Sequence, residues 1–174
     1  MSSLPLPRDV YLDTGVVIAA AFPGTLNATA GAGFRNQLLS EGCAIYFSQI
    51  RRLELSEVIR KLATIPGRLP EPVREEFRLD GWERDLFVRR QWLDFGVHAF
   101  ETLFIGFTEA YELPFDRTIW LRSVEIMADR QVRSHDAVHL ATAYENRLTC
   151  FATTDDEFLK IPDLDIRLIR DPAV

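Results

Sequence analysis

Short apolar runs alternate along this chain with longer stretches of helical period, and that alternation restricts the fold more than any other feature. Asp9-Val10-Tyr11-Leu12, Ala44-Ile45-Tyr46-Phe47, Leu113-Pro114-Phe115, Thr149 to Thr153 and Ile166 to Ile169 read as strands. Helices are expected over Val16 to Phe22, stopped by Pro23-Gly24, and from about Leu26 to Leu39, ending near Gly42. A third opens after Ser48, which can cap it, with apolar positions at Ile50, Leu53, Val58 and Leu62. Further helices run from about Leu86 to Tyr111, with Gly96 and Gly106 as breaks, from Asp116 to Arg130, and from Ser134 to Asn146. Thr64 to Arg84, rich in proline and glycine, loses the pattern and reads as a loop excursion. Strands alternating with helices favour an α/β fold around a mainly parallel sheet, in one domain over residues 1–174.

Composition narrows the class. The chain has 174 residues, 47% of them hydrophobic, enough for a substantial core. Its longest apolar run, Val16 to Phe22, is far short of the ~20 residues that a membrane span needs. The N-terminus lacks the apolar segment of a secretory signal. Cys43 and Cys150 stand far apart without metal-binding spacing, so a reducing, cytoplasmic setting is expected.

In open parallel sheets, sites form outside the carboxyl ends of the strands. Asp13 and Asp155 each follow a strand there. Asp136 lies in the first turn of a helix, and Glu54 in the first two turns of the helix after the second strand. Parallel neighbouring strands would bring all four into one crevice. Carboxylates gathered this way repel each other unless a cation joins them, and Mg²⁺ or Mn²⁺ suits an all-oxygen set. Asp13 and Asp136 are the expected direct ligands; Glu54 and Asp155 would act directly or through water. Thr14, Thr153 and Thr154 are nearby hydroxyl donors. Taken singly, each acid has an ordinary reading as a helix cap, a dipole partner or a surface charge. Their shared placement is what points to chemistry.

At these residues the chain resembles the PIN-domain ribonucleases, especially the VapC-type toxins of toxin–antitoxin pairs. Val10 through Asp13-Thr14 to Ile18 is similar to the family's opening motif, and Ser48 through Glu54-Leu55 to its second. Ser134-His135-Asp136-Ala137 through Ala143 and Thr153-Thr154-Asp155-Asp156-Glu157-Phe158 are similar to the third and fourth. Gly15 departs from the pattern, standing where a hydroxyl residue is common. The resemblance implies a three-layer α/β/α sandwich and a Mg²⁺- or Mn²⁺-dependent endoribonuclease using Asp13, Glu54, Asp136 and Asp155. It also implies an RNA substrate, a small antitoxin partner and a homodimer. A PIN nuclease that is not a toxin, or a PIN module that binds RNA without cutting, would share these motifs.

Charge complicates an RNA site. Net charge is −6, whereas backbone affinity needs Lys and Arg. Arg51, Arg52, Arg60 and Lys61 form a local basic excess that could contact RNA. The histidines His98, His135 and His139 lack a zinc pattern, and His139 reads as a packing or supporting residue. Asp13-Thr14-Gly15 is also what aspartic proteases carry, but those are β-rich and need two such aspartates.

Overall fold

The computed structural model describes residues 6–65 and 67–172. Its single sheet is wholly parallel, with strands β1 (Asp9–Leu12), β2 (Ala44–Ser48), β3 (Ala110–Leu113), β4 (Cys150–Thr153) and β5 (Asp165–Leu168) in the order β3-β2-β1-β4-β5. Seven α-helices accompany it among the described residues. They are α1 (Thr14–Ala21), α2 (Ala28–Ser40), α3 (Arg51–Thr64), α4 (Glu71–Glu76), α5 (Leu86–Leu103), α6 (Arg117–Arg130) and α7 (Ser134–Glu145).

Side-chain alternation along the strands separates two cores. Val10 and Leu12 of β1, Ile45 and Phe47 of β2, and Cys150 and Ala152 of β4 face one side, where α1, α2, α3 and α5 pack. Tyr11 and Phe151 face the other, against Ile119 and Ile126 of α6 and Ala137, Leu140 and Ala141 of α7. This is the α/β/α sandwich, and strands covered on both faces are apolar at nearly every position. Strand order reverses at β1, which pairs with β2 on one side and β4 on the other. The crevice at such a reversal is where doubly wound sheets bind ligands.

Several expected boundaries move. The third strand is Ala110–Leu113, pairing Ile45 with Ala110 through Ser48 with Leu113, and not Leu113 to Phe115. Pro114 has no N–H to continue the ladder, so it ends the strand. The helix expected to reach Tyr111 stops at Leu103, and Gly106 adopts φ +97° in the connection to β3. Gly96 does not break α5. It faces Ile59 of α3, where a Cβ would collide with that buried side chain. Within the stretch from 64 to 84, residues 67–84 hold a helix and a 3₁₀ turn where a loop excursion was expected. Pro72 sits in the first turn of α4, a position proline tolerates, and buried Leu69 and Leu79 tie the segment to the core. Ser48 does not cap α3 from its N-cap position, although its hydroxyl accepts from the Ile50 N–H at 3.3 Å. Both described cysteines are free and buried. Among the described residues, no helix is long and apolar enough to cross a membrane.

Gly31 sets the closest approach of α2 to α1. A Cβ there would lie 2.6 Å from the Ala19 carbonyl carbon and 2.7 Å from the Ala20 nitrogen, both backbone atoms that cannot swing aside. Gly31→Ala is therefore expected to push the two helices apart and destabilise the fold by about 1–3 kcal/mol. Urea unfolding should show the loss as a lower midpoint with little change in slope.

Candidate active site

Asp13 follows β1 directly, and its N–H continues the β1–β4 pairing by donating to the Ala152 carbonyl at 3.0 Å. It occupies the N-cap position of α1, yet its side chain makes no capping bond. The carboxylate instead accepts from the Thr153 hydroxyl at 2.8 Å. Burial raises the Asp13 carboxyl above its ordinary pKa. His139 and the Thr153 bond oppose this, while the charges of Glu54 and Asp136 add to it.

Glu54, in the first turn of α3, accepts from the Thr14 hydroxyl and lies 2.9 Å from His139 Nε2. The His139 ring, 1% exposed, sits between Glu54, Asp13 Oδ1 at 3.5 Å, and the Tyr11 hydroxyl, 2.7 Å from Nδ1. In the neutral ring, Tyr11 donates to Nδ1 while Nε2–H donates to Glu54. A second proton reverses only the Tyr11 bond. Burial disfavours the charged ring, but the Glu54 bond and the charges of Asp13, Glu54 and Asp136 outweigh it, so the His139 pKa rises. Burial likewise works against the Glu54 charge, yet His139 and Thr14 bring its pKa below the ordinary value.

The other two acids share an arginine. Asp136, in the first turn of α7, accepts from Arg133 Nε at 2.9 Å, and Asp155 accepts from Arg133 Nη2 at 2.6 Å. Asp155 also caps the 3₁₀ turn Asp156–Lys160 by accepting from the Glu157 N–H. Its own N–H donates to the Thr153 hydroxyl at 3.0 Å, so Thr153 links Asp155 to Asp13. Gly15 leaves room for Thr154, since a Cβ at position 15 would strike the Thr154 hydroxyl and lie 3.4 Å from Asp13 Oδ2.

The structure thus groups the four acids at the end of the sheet where β1 meets β4, in one pair beside His139 and one bridged by Arg133, joined through Thr153. Among the described residues, no three His, Cys, Asp or Glu side chains stand at metal-coordinating spacing. The donor set nonetheless fits a hard cation. It is all carboxylate and hydroxyl oxygen, and Asp13, whose carboxyl burial and the charges of Glu54 and Asp136 push up, is an acid that a bound cation would stabilise in its charged form. His98 and His135 are exposed, whereas His139 is buried.

Of the basic residues of α3, one is enclosed in the core and three lie at the surface. Arg51 is 5% exposed, its guanidinium 3.5 Å from the Phe47 ring centroid and 4.1 Å from that of Phe100, with Nη2 on Glu112. Burial lowers its pKa to about 10, against the pull of Glu112. It holds β3 to α3 and α5 and does not face solvent. Arg52 makes two 2.7 Å bonds to Glu112, Arg60 makes two bonds to Glu57, and Lys61 lies 3.4 Å from the same Glu57. Arg52, Arg60 and Lys61 thus stay at the surface, each in an exposed ion pair.

Sequence reasoning passed over Tyr11, Arg133 and the connecting role of His139. Faint signals existed. Tyr11 lies two residues before Asp13, and Arg133 and His139 lie three residues either side of Asp136, at helical neighbour spacing.

Comparison with known proteins agrees with this fold. The family model described as PIN domain matches residues 10–164, a span that includes all four acids, Arg133 and His139. A solved structure of VapBC2 from Rickettsia felis, bound to a DNA fragment from their promoter, shares the fold with a TM-score of 0.58. Its identity to this chain is 12%, over 92% of this chain and 98% of that one. No curated protein matches the chain in sequence. The all-parallel sheet, its reversal at β1 and the family match over most of the length give one conclusion: this chain belongs to the PIN domain family.

Proposed function

We propose that the chain is a Mg²⁺- or Mn²⁺-dependent endoribonuclease and the toxin of a toxin–antitoxin pair, acting in the cytoplasm. The observation that carries this reading is the gathering of Asp13, Glu54, Asp136 and Asp155 at the strand-order reversal, with partners that fix their orientation. Asp13 and Asp136 would hold the ion directly, and Glu54 and Asp155 directly or through water. When bound, the ion supplies charge against a phosphoryl oxygen and acidity to a nearby water.

This chain's own residues prepare that centre. Thr153 fixes Asp13 through one hydroxyl bond and receives the Asp155 N–H. Thr14 and His139 together fix Glu54, and Tyr11 sets the His139 ring. These bonds hold the carboxylates before substrate arrives, so little reorganisation remains for the reaction.

An antitoxin partner is supported by the structural neighbour, a VapBC2 complex. Leu26, Leu53, Trp120, Leu121 and Val124 are exposed apolar side chains available to an antitoxin or a second copy. The aspartic-protease reading loses its basis, because the sheet is parallel and helix-covered and Thr14 is engaged with Glu54.

Purified protein should cleave RNA with Mg²⁺ or Mn²⁺, stop on addition of EDTA and resume when the ion is restored. Cleavage that persists under chelation would refute the metal mechanism. Asp13→Asn and Asp136→Asn should each lose most activity. Asn at position 13 keeps an oxygen for Thr153 and removes a like charge, so the metal-free melting temperature should not fall. Thr153→Val, nearly the same shape without the hydroxyl, should lower metal affinity or activity by about 10–100-fold. An unaffected Thr153→Val enzyme would show that the Asp155–Thr153–Asp13 chain is dispensable.

A further inference from the structure

Arg133 is the one cation that bridges Asp136 and Asp155 among the described residues, and it does so from an exposed position. Its guanidinium places Nε 2.9 Å from Asp136 Oδ2 and Nη2 2.6 Å from Asp155 Oδ2, with Glu157 Oε2 at 3.8 Å, while the side chain stays 66% exposed. The residue stands at the N-cap of α7 in extended conformation and makes no side-chain cap bond. The long side chain is therefore free to fold back over the first turn, where Asp136 lies three residues on. Arg170, the neighbouring arginine, is occupied elsewhere by the Thr154 carbonyl at 3.0 Å and by Asp156.

Two properties of this contact matter together. Both bonded carboxylate oxygens belong to acids of the proposed metal pocket, so a cation using those oxygens meets the guanidinium there. The contact is also open to water on the arginine side, and solvent-exposed ion pairs are weakly held. His139 differs on the second point, being enclosed between Tyr11 and Glu54. One half of the pocket is braced by a buried ring and the other by a side chain able to leave.

Building on the metal-site reading, we propose that Arg133 is a placeholder for the divalent cation at Asp136 and Asp155 and, once displaced, contacts an RNA phosphate. Guanidinium bonds to phosphate oxygens as readily as to carboxylate, through the same two-pronged geometry. Displacement leaves it tethered to α7 at the pocket rim, beside the acids that would hold the ion. The residue thereby adds a positive group at the rim of the acidic pocket itself. It also couples the two binding events, because the ion releases the group that the RNA then uses.

The test pairs two measurements on the full chain and on Arg133→Gln and Arg133→Lys. Mn²⁺ uptake is followed by electron paramagnetic resonance. Affinity for a fluorescent single-stranded RNA of mixed sequence is read by anisotropy in the cold, with and without Mn²⁺. Arg133→Gln should bind Mn²⁺ about fivefold more tightly, the scale of one exposed ion pair removed. The gain in RNA affinity on adding Mn²⁺ should shrink by a similar factor. Arg133→Lys, which keeps the charge without the fork, should fall between the two on both measurements. A merely structural brace predicts the opposite sign for the metal, since losing it would loosen Asp136 and Asp155. Unchanged or weaker Mn²⁺ binding by Arg133→Gln, or an unchanged Mn²⁺-dependent gain in RNA affinity, overturns the proposal. Normal wild-type uptake without the Arg133 effect overturns this proposal alone. A wild-type protein that takes up no Mn²⁺ overturns the metal-site reading with it.

Discussion

The pairing of β1 with β4 is the constraint on which the site depends. Their register sets Leu12 opposite Ala152, and the next bond, from the Asp13 N–H to the Ala152 carbonyl, carries the pairing one residue past the strand end. That bond places Asp13 beside Thr153, the last residue of β4, and so within reach of its hydroxyl. Asp155 follows two residues later and is tied back to the same hydroxyl. Sheet register, set by apolar side chains on two faces, thus also sets the spacing of two acids. A one-residue slip would turn Val10, Leu12 and Tyr11 to the wrong cores and break the acidic pocket as well.

Gathering carboxylates at that edge creates an electrostatic cost that the fold meets unevenly. Glu54 is well compensated, with its pKa brought down by His139 and Thr14. Asp13 is not, and its pKa is raised by burial and by its acidic neighbours. The aromatic layer beneath contributes indirectly. Tyr11 stacks on Phe151 at 5.1 Å between centroids and presents its hydroxyl to His139, so β1 supports the ring that supports Glu54. Core packing and site electrostatics meet in a single side chain.

Legibility in the sequence followed burial. Strands β1, β2 and β4 are covered on both faces and stand out as apolar runs, and their carboxyl ends pointed to Asp13 and Asp155. Strand β3 lies at the sheet edge, is half-exposed and carries Glu112, so its pattern was faint and the neighbouring Pro114 misled the reading. The helix α4 was hidden because proline usually signals a break, although its first turn accepts one. Arg51 and Arg133 show the same limit for single charges. Both are arginines near helix starts, yet one is enclosed by Phe47 and Phe100 and the other spans two acids in solvent. Only tertiary distances separate those outcomes.

Gly15 shows how a departure from a motif can be compensated at a distance in sequence. Taken alone, the missing side chain reads as a hydroxyl lost beside Asp13. In the fold, the space that a Cβ would need is taken by the Thr154 hydroxyl, from the loop that follows β4. The two positions therefore constrain each other, since any side chain at 15 requires Thr154 to move. A Cβ at 15 would also stand 3.4 Å from Asp13 Oδ2, against the carboxylate that Thr153 holds. Glycine here is part of the site's geometry: it clears the approach by which the β4 loop reaches the end of β1.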